Sequence, residues 1–192
     1  MNWRIVKQSL VFLLSFAILT GLVYPALITG IAQVVFPWQS NGSPVKTAGG
    51  ETIGLQNIGQ SFTGPAYFWS RPSSTEGSPY NAGASGGSNW SALNPKLKEA
   101  ASQHLMDLED GNGSISLSVP MDMLTSSASG LDPHISPAAA LIQVSRVARA
   151  RGLTEEQVRN LVYSHIENRD FYLLGEPRVN VLQLNLALDA LK

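Results

Sequence analysis

The sequence predicts an α+β protein, in which a single N-terminal transmembrane helix precedes one compact exported domain with about four helices and a few short strands. Three observations lead to this prediction. No charged side chain occurs between Lys7 and Lys46, which leaves one apolar stretch long enough to cross a bilayer. Later segments with helical apolar spacing are separated by Gly- and Pro-rich turns and by short runs of β-formers. The chain has no cysteine, so packing rather than disulfides must stabilise the fold.

The apolar stretch at residues 10–36 predicts the membrane anchor. A bilayer core of about 30 Å needs about 20 residues of helix, and residues 10–27 with a few neighbours meet that length. Thr20 and Gly21 are compatible with this helix, because hydroxyls bond back to it and small residues let another helix approach. Pro25 is expected to kink it. Aromatic side chains typical of a membrane interface lie near its far end: Tyr24, Phe36 and Trp38.

Basic residues predict the orientation of the anchor. Arg4 and Lys7 precede the helix, and no basic residue follows it until Lys46, so the N-terminus should be cytoplasmic and the domain extracytoplasmic. The competing interpretation is a cleaved signal peptide, with Gly30 and Ala32 as small residues near a cleavage site. The apolar run exceeds the roughly 7 to 15 residues of a signal h-region, which favours a single-pass anchor in the cell inner (plasma) membrane.

Length and charge predict three parts: residues 1–36 as tail and anchor, 37–50 as a juxtamembrane linker, and 51–192 as one periplasmic domain. Two of the 13 basic residues, Arg4 and Lys7, precede the helix, whereas all 14 acidic residues follow it, so the exported part has a net charge of −3. This charge indicates neither a nucleic-acid-binding surface nor a polybasic lipid patch.

The first part of the domain is predicted to be irregular. Turn formers fill residues 39–50, and residues 52–62 mix β-formers with glycines, which predicts one or two short, bent strands. Residues 64–91 are rich in Gly, Pro, Ser and Asn and predict a long loop. Loops of this length are usually functional or disordered, and large rings argue for order. These rings are Tyr67, Phe68, Trp69, Tyr80 and Trp90.

A helix and a strand are predicted next. Asn94 as N-cap and Pro95 at the first helical position open the helix, and Gly111 is expected to end it. Its apolar face is predicted to contain Leu97, Ala101, His104, Leu105 and Leu108. Residues 114–119 alternate apolar side chains with serines, which predicts a half-buried strand ended by Pro120.

Three further helices are predicted. Ser136-Pro137 opens a helix that runs to Arg151 and ends at Gly152. Thr154 and Gln157 form a capping box for the next helix, with a staple from Leu153 to Val158. Asn180 can cap a last helix, whose apolar positions are Val181, Leu184, Leu188 and Leu191. The alternation of Leu182, Leu184 and Leu186 also fits a strand, and both interpretations stay open, with helix favoured.

Signals for catalysis are weak. Residues 125–136 contain serines beside an aspartate and a histidine, so one hypothesis is a membrane-tethered hydrolase that uses Ser129, Asp132 and His134. The segment has no G-x-S-x-G elbow, and the competing interpretation is a loop whose side chains cap the following helix. His104 and His165 lie on apolar helical faces and are expected to contact the core or a partner.

Signals for nucleotide binding are also weak. Ser85-Gly86-Gly87 is similar to part of a nucleotide-binding signature, and Gln143 shares a helical face with Arg146. No G-x-x-x-x-G-K-[ST] motif is present, so the sequence contains no phosphate-binding loop of that type.

Several motifs, in this order, together resemble one family. They are Gly59-Gln60-Ser61-Phe62, Tyr67-Phe68-Trp69-Ser70-Arg71-Pro72-Ser73, Tyr80-Asn81, Ser85-Gly86-Gly87-Ser88-Asn89, Gly130-Leu131-Asp132-Pro133-His134-Ile135-Ser136-Pro137, Gln143 with residues 146–151, and Gly175-Glu176-Pro177-Arg178-Val179-Asn180-Val181. With the single N-terminal anchor, they closely resemble the C subunit of the bacterial Kdp potassium-transporting ATPase, the KdpC family. The resemblance covers essentially the whole chain.

The resemblance implies a non-catalytic accessory subunit. Its partners would be a channel-like potassium-selective A subunit, a B subunit that is a P-type ATPase, and the small F subunit, in a lipid bilayer. The family is described as a catalytic chaperone that raises the ATP affinity of the B subunit, which makes Ser85, Gly86, Gly87 and Gln143 the candidate ATP contacts. The predicted topology disfavours direct contact, because an exported domain lies on the opposite face from cytoplasmic ATP. No cofactor is firmly expected.

The preferred hypothesis is that the anchor packs beside the membrane helices of the pump and the domain caps the outer entrance of the potassium-selective subunit. The loop at 64–89 and the turn at 132–136 are the expected contact surfaces, because they combine aromatic anchors with rigid turns. The predicted interface residues are Tyr67, Phe68, Trp69, Arg71, Tyr80, Asp132, His134, Arg146, Glu176 and Arg178.

Overall fold

The structure is a computed structural model that describes residues 2–47, 49–113 and 118–191. Its contacts divide the chain into two compact units, Met1–Pro44 and Val45–Lys192. The first unit contains one long apolar helix and a short helix after it, and the second contains the remaining helices with short antiparallel strands. This architecture confirms the predicted α+β class with a single N-terminal apolar helix.

The apolar helix extends over Trp3–Val35 and is the candidate membrane span, with none of its apolar window buried inside the protein. It consists of α1 (Trp3–Ile18), a π-helical segment (Leu19–Val23) and α2 (Tyr24–Val35). Pro25 lacks an N–H and its ring crowds the preceding turn, so the wider π-helical turn beside it accommodates the proline. The Thr20 hydroxyl donates to the Phe16 carbonyl (2.7 Å), as expected for a hydroxyl in an apolar helix.

The segment expected to be a linker contains regular structure. A short helix, α3 (Pro37–Ser40), follows the apolar helix, and β1 (Pro44–Lys46) pairs with β2 (Thr52–Leu55) in a two-stranded sheet. β2 is the one strand found in the described structure of residues 52–62.

The first helix of the domain, α4 (Pro95–Asn112), begins as predicted and ends later. The Asn94 side chain accepts from the Lys96 N–H (3.0 Å), which confirms the cap. Gly111 lies inside the helix, and Gly113 (φ 77°) ends it, so the predicted end was wrong by two residues. Gly111 is needed for close packing, because a Cβ there would collide with Cη2 of Trp69. The predicted strand at 114–119 lies mostly outside the described residues.

The predicted continuous helix from Pro137 to Arg151 is wrong, because two short helices occur instead. α5 (Pro137–Leu141) is capped by Ser136, and α6 (Val144–Arg151) ends at Gly152 in a left-handed conformation, as predicted. The break is at Gln143, whose N–H bonds the Ala140 carbonyl (3.1 Å) while its side chain bonds Ala139 and Trp69. The side-chain hydrogen bonds of Gln143 therefore interrupt the helix at this position.

The C-terminal part combines two helices with a small sheet. α7 (Glu155–Ser164) has the predicted capping box. Strands β3 (His134–Ile135), β4 (Ile166–Glu167) and β5 (Arg178–Asn180) form an antiparallel sheet in the order β3-β5-β4, with His134 opposite Asn180 and Ile166 opposite Val179. α8 (Val181–Asp189) is capped by Asn180, so the helix interpretation is confirmed and the strand alternative is wrong.

The core of the domain lies among α5 to α8 and the inner face of this sheet. Phe68 from the long loop is also fully buried there. The burial of apolar side chains from all these elements is the main stabilising term for a chain without disulfides. The largest fully buried apolar side chains are Phe68, Ile135, Leu184, Leu188, Val144, Val147, Val158, Val162, Val179 and Val181.

Candidate functional site

The long loop, residues 64–91, is held at its start by buried amide side chains from the helices. Asn185 on α8 accepts from the Phe68 N–H (2.8 Å) and donates to the Phe68 carbonyl (3.0 Å). Both groups of the amide pair with both backbone groups of one loop residue. This pairing satisfies the polar groups that the buried Phe68 ring carries into the core.

Gln143 makes an equivalent clamp on the next residue of the loop. Its Oε1 accepts from the Trp69 N–H (2.7 Å) and from Arg146 Nη2 (2.6 Å). Its Nε2 donates to the carbonyls of Trp69 (3.2 Å) and Ala139 (3.0 Å). Gln143 is fully buried, and these four bonds use the whole hydrogen-bonding capacity of its amide. The candidate ATP contact at Gln143 is therefore a residue whose amide holds the loop.

Arg146 completes the clamp as a buried cation among neutral groups. Its guanidinium donates to the carbonyls of Pro65 (2.7 Å) and Tyr67 (2.8 Å) and to Asn112 Oδ1 (2.9 Å). It also lies 4.1 Å from the centroid of the Trp69 ring, in a cation–π contact. Burial lowers the pKa of Arg146 to about 10, so the side chain stays charged near neutral pH. One cation thus joins α4, α6 and the start of the loop.

Ser85, Gly86 and Gly87 lie against a second loop, residues 127–130. Ser85 Oγ and the Gly86 N–H both donate to the Ser129 carbonyl, at 3.0 and 2.9 Å. The approach is so close that a Cβ on Gly87 would lie 3.0 Å from two carbonyl oxygens of the second loop. In the described residues, this segment takes no part in the Gln143 hydrogen bonds, so the structure does not join the predicted ATP contacts into one site.

A charged groove of about 550 Å³ lies between the segment 121–125 and the C-terminal sheet, and its charged lining includes Arg71, Asp132, Glu176 and Arg178. Arg71 Nη1 donates to Asp132 Oδ2 (3.0 Å), and His134 Nδ1 lies 3.3 Å from Asp132 Oδ1. His134 Nε2 is 4.0 Å from Glu167, which also accepts from Arg178 Nε (3.0 Å). Predicted interface residues from three distant parts of the sequence, Arg71, Asp132 with His134, and Arg178, are therefore linked by polar contacts, with Glu167 between His134 and Arg178.

Electrostatics fix the charge states at one end of this groove. Burial raises the pKa of the Asp132 carboxyl, but hydrogen bonds from the side chain and backbone of His134 and the charge of Arg71 outweigh it, so this pKa is lowered. Tyr80 packs behind the pair, where burial raises its pKa to about 12 and its hydroxyl donates to the Arg71 carbonyl (2.6 Å). Asp132 is an anion held in place at neutral pH.

The geometry does not support the hydrolase hypothesis. A serine nucleophile needs the far nitrogen of the histidine as its base, but His134 Nε2 faces Glu167. Ser129 Oγ instead accepts from the Leu131 N–H (3.1 Å) and lies 3.4 Å from Ser127 Oγ. These bonds shape the loop, as the competing interpretation of residues 125–136 expected. Among the described residues, no group of three acidic or histidine side chains could hold a metal ion.

The other predicted residues have mixed environments. Phe68 is fully buried, so a partner cannot reach its side chain while the domain is folded. Tyr67 is half-buried with its ring under the Arg151 guanidinium (4.7 Å), and Glu176 is exposed and pairs with Arg169 (2.6 Å). His165 Nδ1 lies 2.9 Å from the Leu161 carbonyl, and His104 lines a small apolar pocket beside Trp69.

Sequence reasoning missed the role of Asn185. The signal was a single amide in the run Leu182-Gln183-Leu184-Asn185-Leu186, at a position on the buried side of α8. A buried amide in such a helix needs partners, and an irregular loop with unpaired backbone groups supplies them.

Comparisons with known proteins agree on one family. The model of the family KdpC, described as K+-transporting ATPase, c chain, matches residues 6–190. The chain is 54% identical over 186 residues to the "Potassium-transporting ATPase KdpC subunit" of Herpetosiphon aurantiacus, covering 97% of this chain and 96% of that protein. It is 55% identical over 171 residues to the proteins of the same name in Burkholderia mallei and Burkholderia pseudomallei, covering 89% of this chain and 88% of each of them.

Proposed function

The chain belongs to the KdpC family, the c chain of the K+-transporting ATPase, and we propose that it is a non-catalytic accessory subunit of such a P-type ATPase complex. Its task is to dock onto the potassium-selective A subunit and cap the outer entrance of that subunit. The ATP-hydrolysing B subunit and the small F subunit complete the complex, and the apolar helix anchors the chain beside their membrane helices.

The buried clamp on the long loop is the observation that carries this proposal. Gln143, Arg146 and Asn185 direct their hydrogen bonds mainly to the backbone of residues 64–69. Buried polar networks of this kind fix one backbone conformation. A rigid irregular surface loses little entropy on binding, which suits recognition of a partner.

The proposed topology follows from the basic residues before the apolar helix, Arg4 and Lys7. The chain is single-pass in the cell inner membrane, with the domain on the extracytoplasmic side. Its net charge of −3 attracts cations near the entrance, although screening over about 8 Å keeps this effect local.

An effect on ATP affinity is indirect in this proposal. The amide of Gln143 is fully paired inside the domain, so it has no group left to offer a nucleotide. A subunit that binds one conformation of the pump more tightly changes ligand affinity at a distant site by linkage. We therefore place ATP on the B subunit and assign no cofactor to this chain.

A variant of the histidine in the groove separates an accessory subunit from a hydrolase. We expect purified complexes that contain the His134→Ala chain to keep potassium-stimulated ATP hydrolysis within about twofold of the wild type, because the partly exposed His134 side chain contacts only the carboxylates of Asp132 and Glu167 in its ion pairs. The measurement is turnover per complex, with the amount of bound chain determined in the same sample. Ser129→Ala serves as the second variant.

Complexes that lack the chain are the control and should lose potassium-stimulated turnover. A loss of turnover of about a hundredfold or more in His134→Ala complexes that still contain a full complement of the chain would contradict the proposal, since general-base catalysis has about that magnitude.

A further inference from the structure

The hairpin between β4 and β5 ends in four consecutive apolar residues that face solvent, here called the tip: Phe171, Tyr172, Leu173 and Leu174. The Phe171 side chain is 89% exposed and the Tyr172 side chain 90% exposed. Soluble surfaces rarely present such a contiguous group of large apolar side chains, and when they do it usually marks an interaction site. In the described structure, these four side chains take no part in the hydrogen bonds and ion pairs of the clamp and the groove.

The backbone of the tip is fixed in an unusual conformation. Asp170 and Leu174 exchange two backbone hydrogen bonds, each of 2.9 Å. Phe171 (φ 53°) and Tyr172 (φ 61°) are both left-handed, which is rare for large side chains and costs of the order of 1 kcal/mol or more each. Because strain of this kind tends to cluster at functional sites, it supports a binding role for the two rings.

Charges around the tip favour a protein partner over a lipid surface. Two ion pairs flank the tip, Glu176 with Arg169 (2.6 Å) and Asp170 with Arg178 (3.7 Å). In each pair the carboxylate is the more exposed member, at 78% against 46% in the first and 64% against 33% in the second. An anionic lipid headgroup would face these carboxylates and be repelled. A pocket with cationic side chains at its rim would be attracted instead.

The tip is also continuous with the charged groove. Glu176 and Arg178, at the base of the hairpin, line the groove together with Arg71, Asp132 and His134. One surface of the domain therefore combines two aromatic anchors with a polar border, which is the usual composition of an interface hot spot.

We propose that the tip inserts into an apolar pocket with a basic rim on another subunit of the potassium-transporting ATPase. This inference rests on the proposed function, because it names the anchor of the same docking surface. Phe171 and Tyr172 fill the pocket, and Asp170 and Glu176 meet its cationic rim.

The first test removes the rings and keeps the backbone. Asparagine adopts the left-handed conformation readily, so Phe171→Asn with Tyr172→Asn should leave the domain folded and at least as stable. We expect this double variant to weaken the retention of the chain in the detergent-purified complex by about tenfold or more. The matched control is Leu93→Asn with Met106→Asn, which removes two exposed apolar side chains elsewhere and should co-purify like the wild type.

The second test changes the charge. Glu176→Lys should also weaken retention, whereas Glu99→Lys, at an exposed position of α4, should not. A lipid-binding tip would behave in the opposite way: Glu176→Lys would increase flotation of the chain with phosphatidylglycerol vesicles, and the asparagine variant would abolish it.

Normal retention of the asparagine variant, or the lipid pattern, would overturn this inference and leave the proposed function standing. If the wild-type chain itself fails to co-purify with any other subunit, the proposed function fails and this inference fails with it.

Discussion

Replacement of Arg146 by methionine should lower the free energy of unfolding of the domain by about 3 to 5 kcal/mol, because the carbonyls of Pro65 and Tyr67 and the Asn112 amide lose a buried donor together. The cation–π contact with Trp69 is lost as well. For a domain of this size the midpoint of thermal unfolding should fall by about 10 °C. Thermal unfolding of the full chain in detergent micelles, followed by the circular dichroism of the domain, measures this.

Arg149→Met is the matched control. Arg149 lies on the same helix and is exposed, so its replacement should change the free energy of unfolding by less than about 0.5 kcal/mol. Equal effects at the two arginines would show that the loop is not held by Arg146.

Replacement of Gln143 by leucine should cost about 2 to 4 kcal/mol of folding free energy. Leucine has a similar volume, but it would leave the N–H and the carbonyl of Trp69 without their partner at position 143. Nη2 of Arg146 would lose its acceptor there as well. Because Gln143 and Arg146 belong to one network, the double variant should cost clearly less than the sum of the two single variants. Additive losses in this cycle would contradict the network, and Gln103→Leu, at an exposed position of α4, is the matched control.

The same variant distinguishes a clamp from a nucleotide contact. We expect a photoreactive ATP analogue to label the wild-type chain and the Gln143→Leu chain equally at a temperature where both are folded. Labelling that depends on the glutamine would favour direct contact with ATP over the structural role.

The parts of the fold that were predicted correctly depend on local signals. Asn94, Thr154 and Asn180 cap their helices through bonds to backbone groups two or three residues away, and such bonds are visible as sequence patterns. The helix interpretation of the C-terminal segment depended on Asn180 in the same way. The long apolar helix was predicted from its length and composition, which are local properties of the sequence.

The errors occurred where distant contacts override local preference. The sequence of residues 137–151 favours one helix, yet the hydrogen bonds of Gln143 with Trp69, 74 residues away, interrupt it. A glycine at position 111 is typical of a helix end, but Gly111 lies within α4, where the absence of a side chain leaves space for the Trp69 ring. Strands β3 and β4 have two residues each and exist only because they pair with β5, so periodicity could not reveal them.

The sequence named several residues of the candidate groove and the clamp, but it did not predict how they are arranged. Arg71, Asp132 and His134 were expected at an interface, and the structure brings them into one groove. The sequence indicated that Gln143 and Arg146 share a face, and they do touch, but their partners on the long loop are 74 to 81 residues away. Such pairings depend on the folded chain as a whole, and no rule of sequence spacing predicts them.

The proposed function requires the domain to lie outside the cytoplasm and to dock there as a rigid cap. The chain has no cysteine, so one cysteine introduced at Leu93, whose side chain is 95% exposed, can report its compartment against a clean background. A maleimide that does not cross membranes, added to intact cells that make the Leu93→Cys chain, is expected to label it fully without any opening of the inner membrane. Labelling only after that membrane is opened would place the domain on the ATP side and contradict the proposed function.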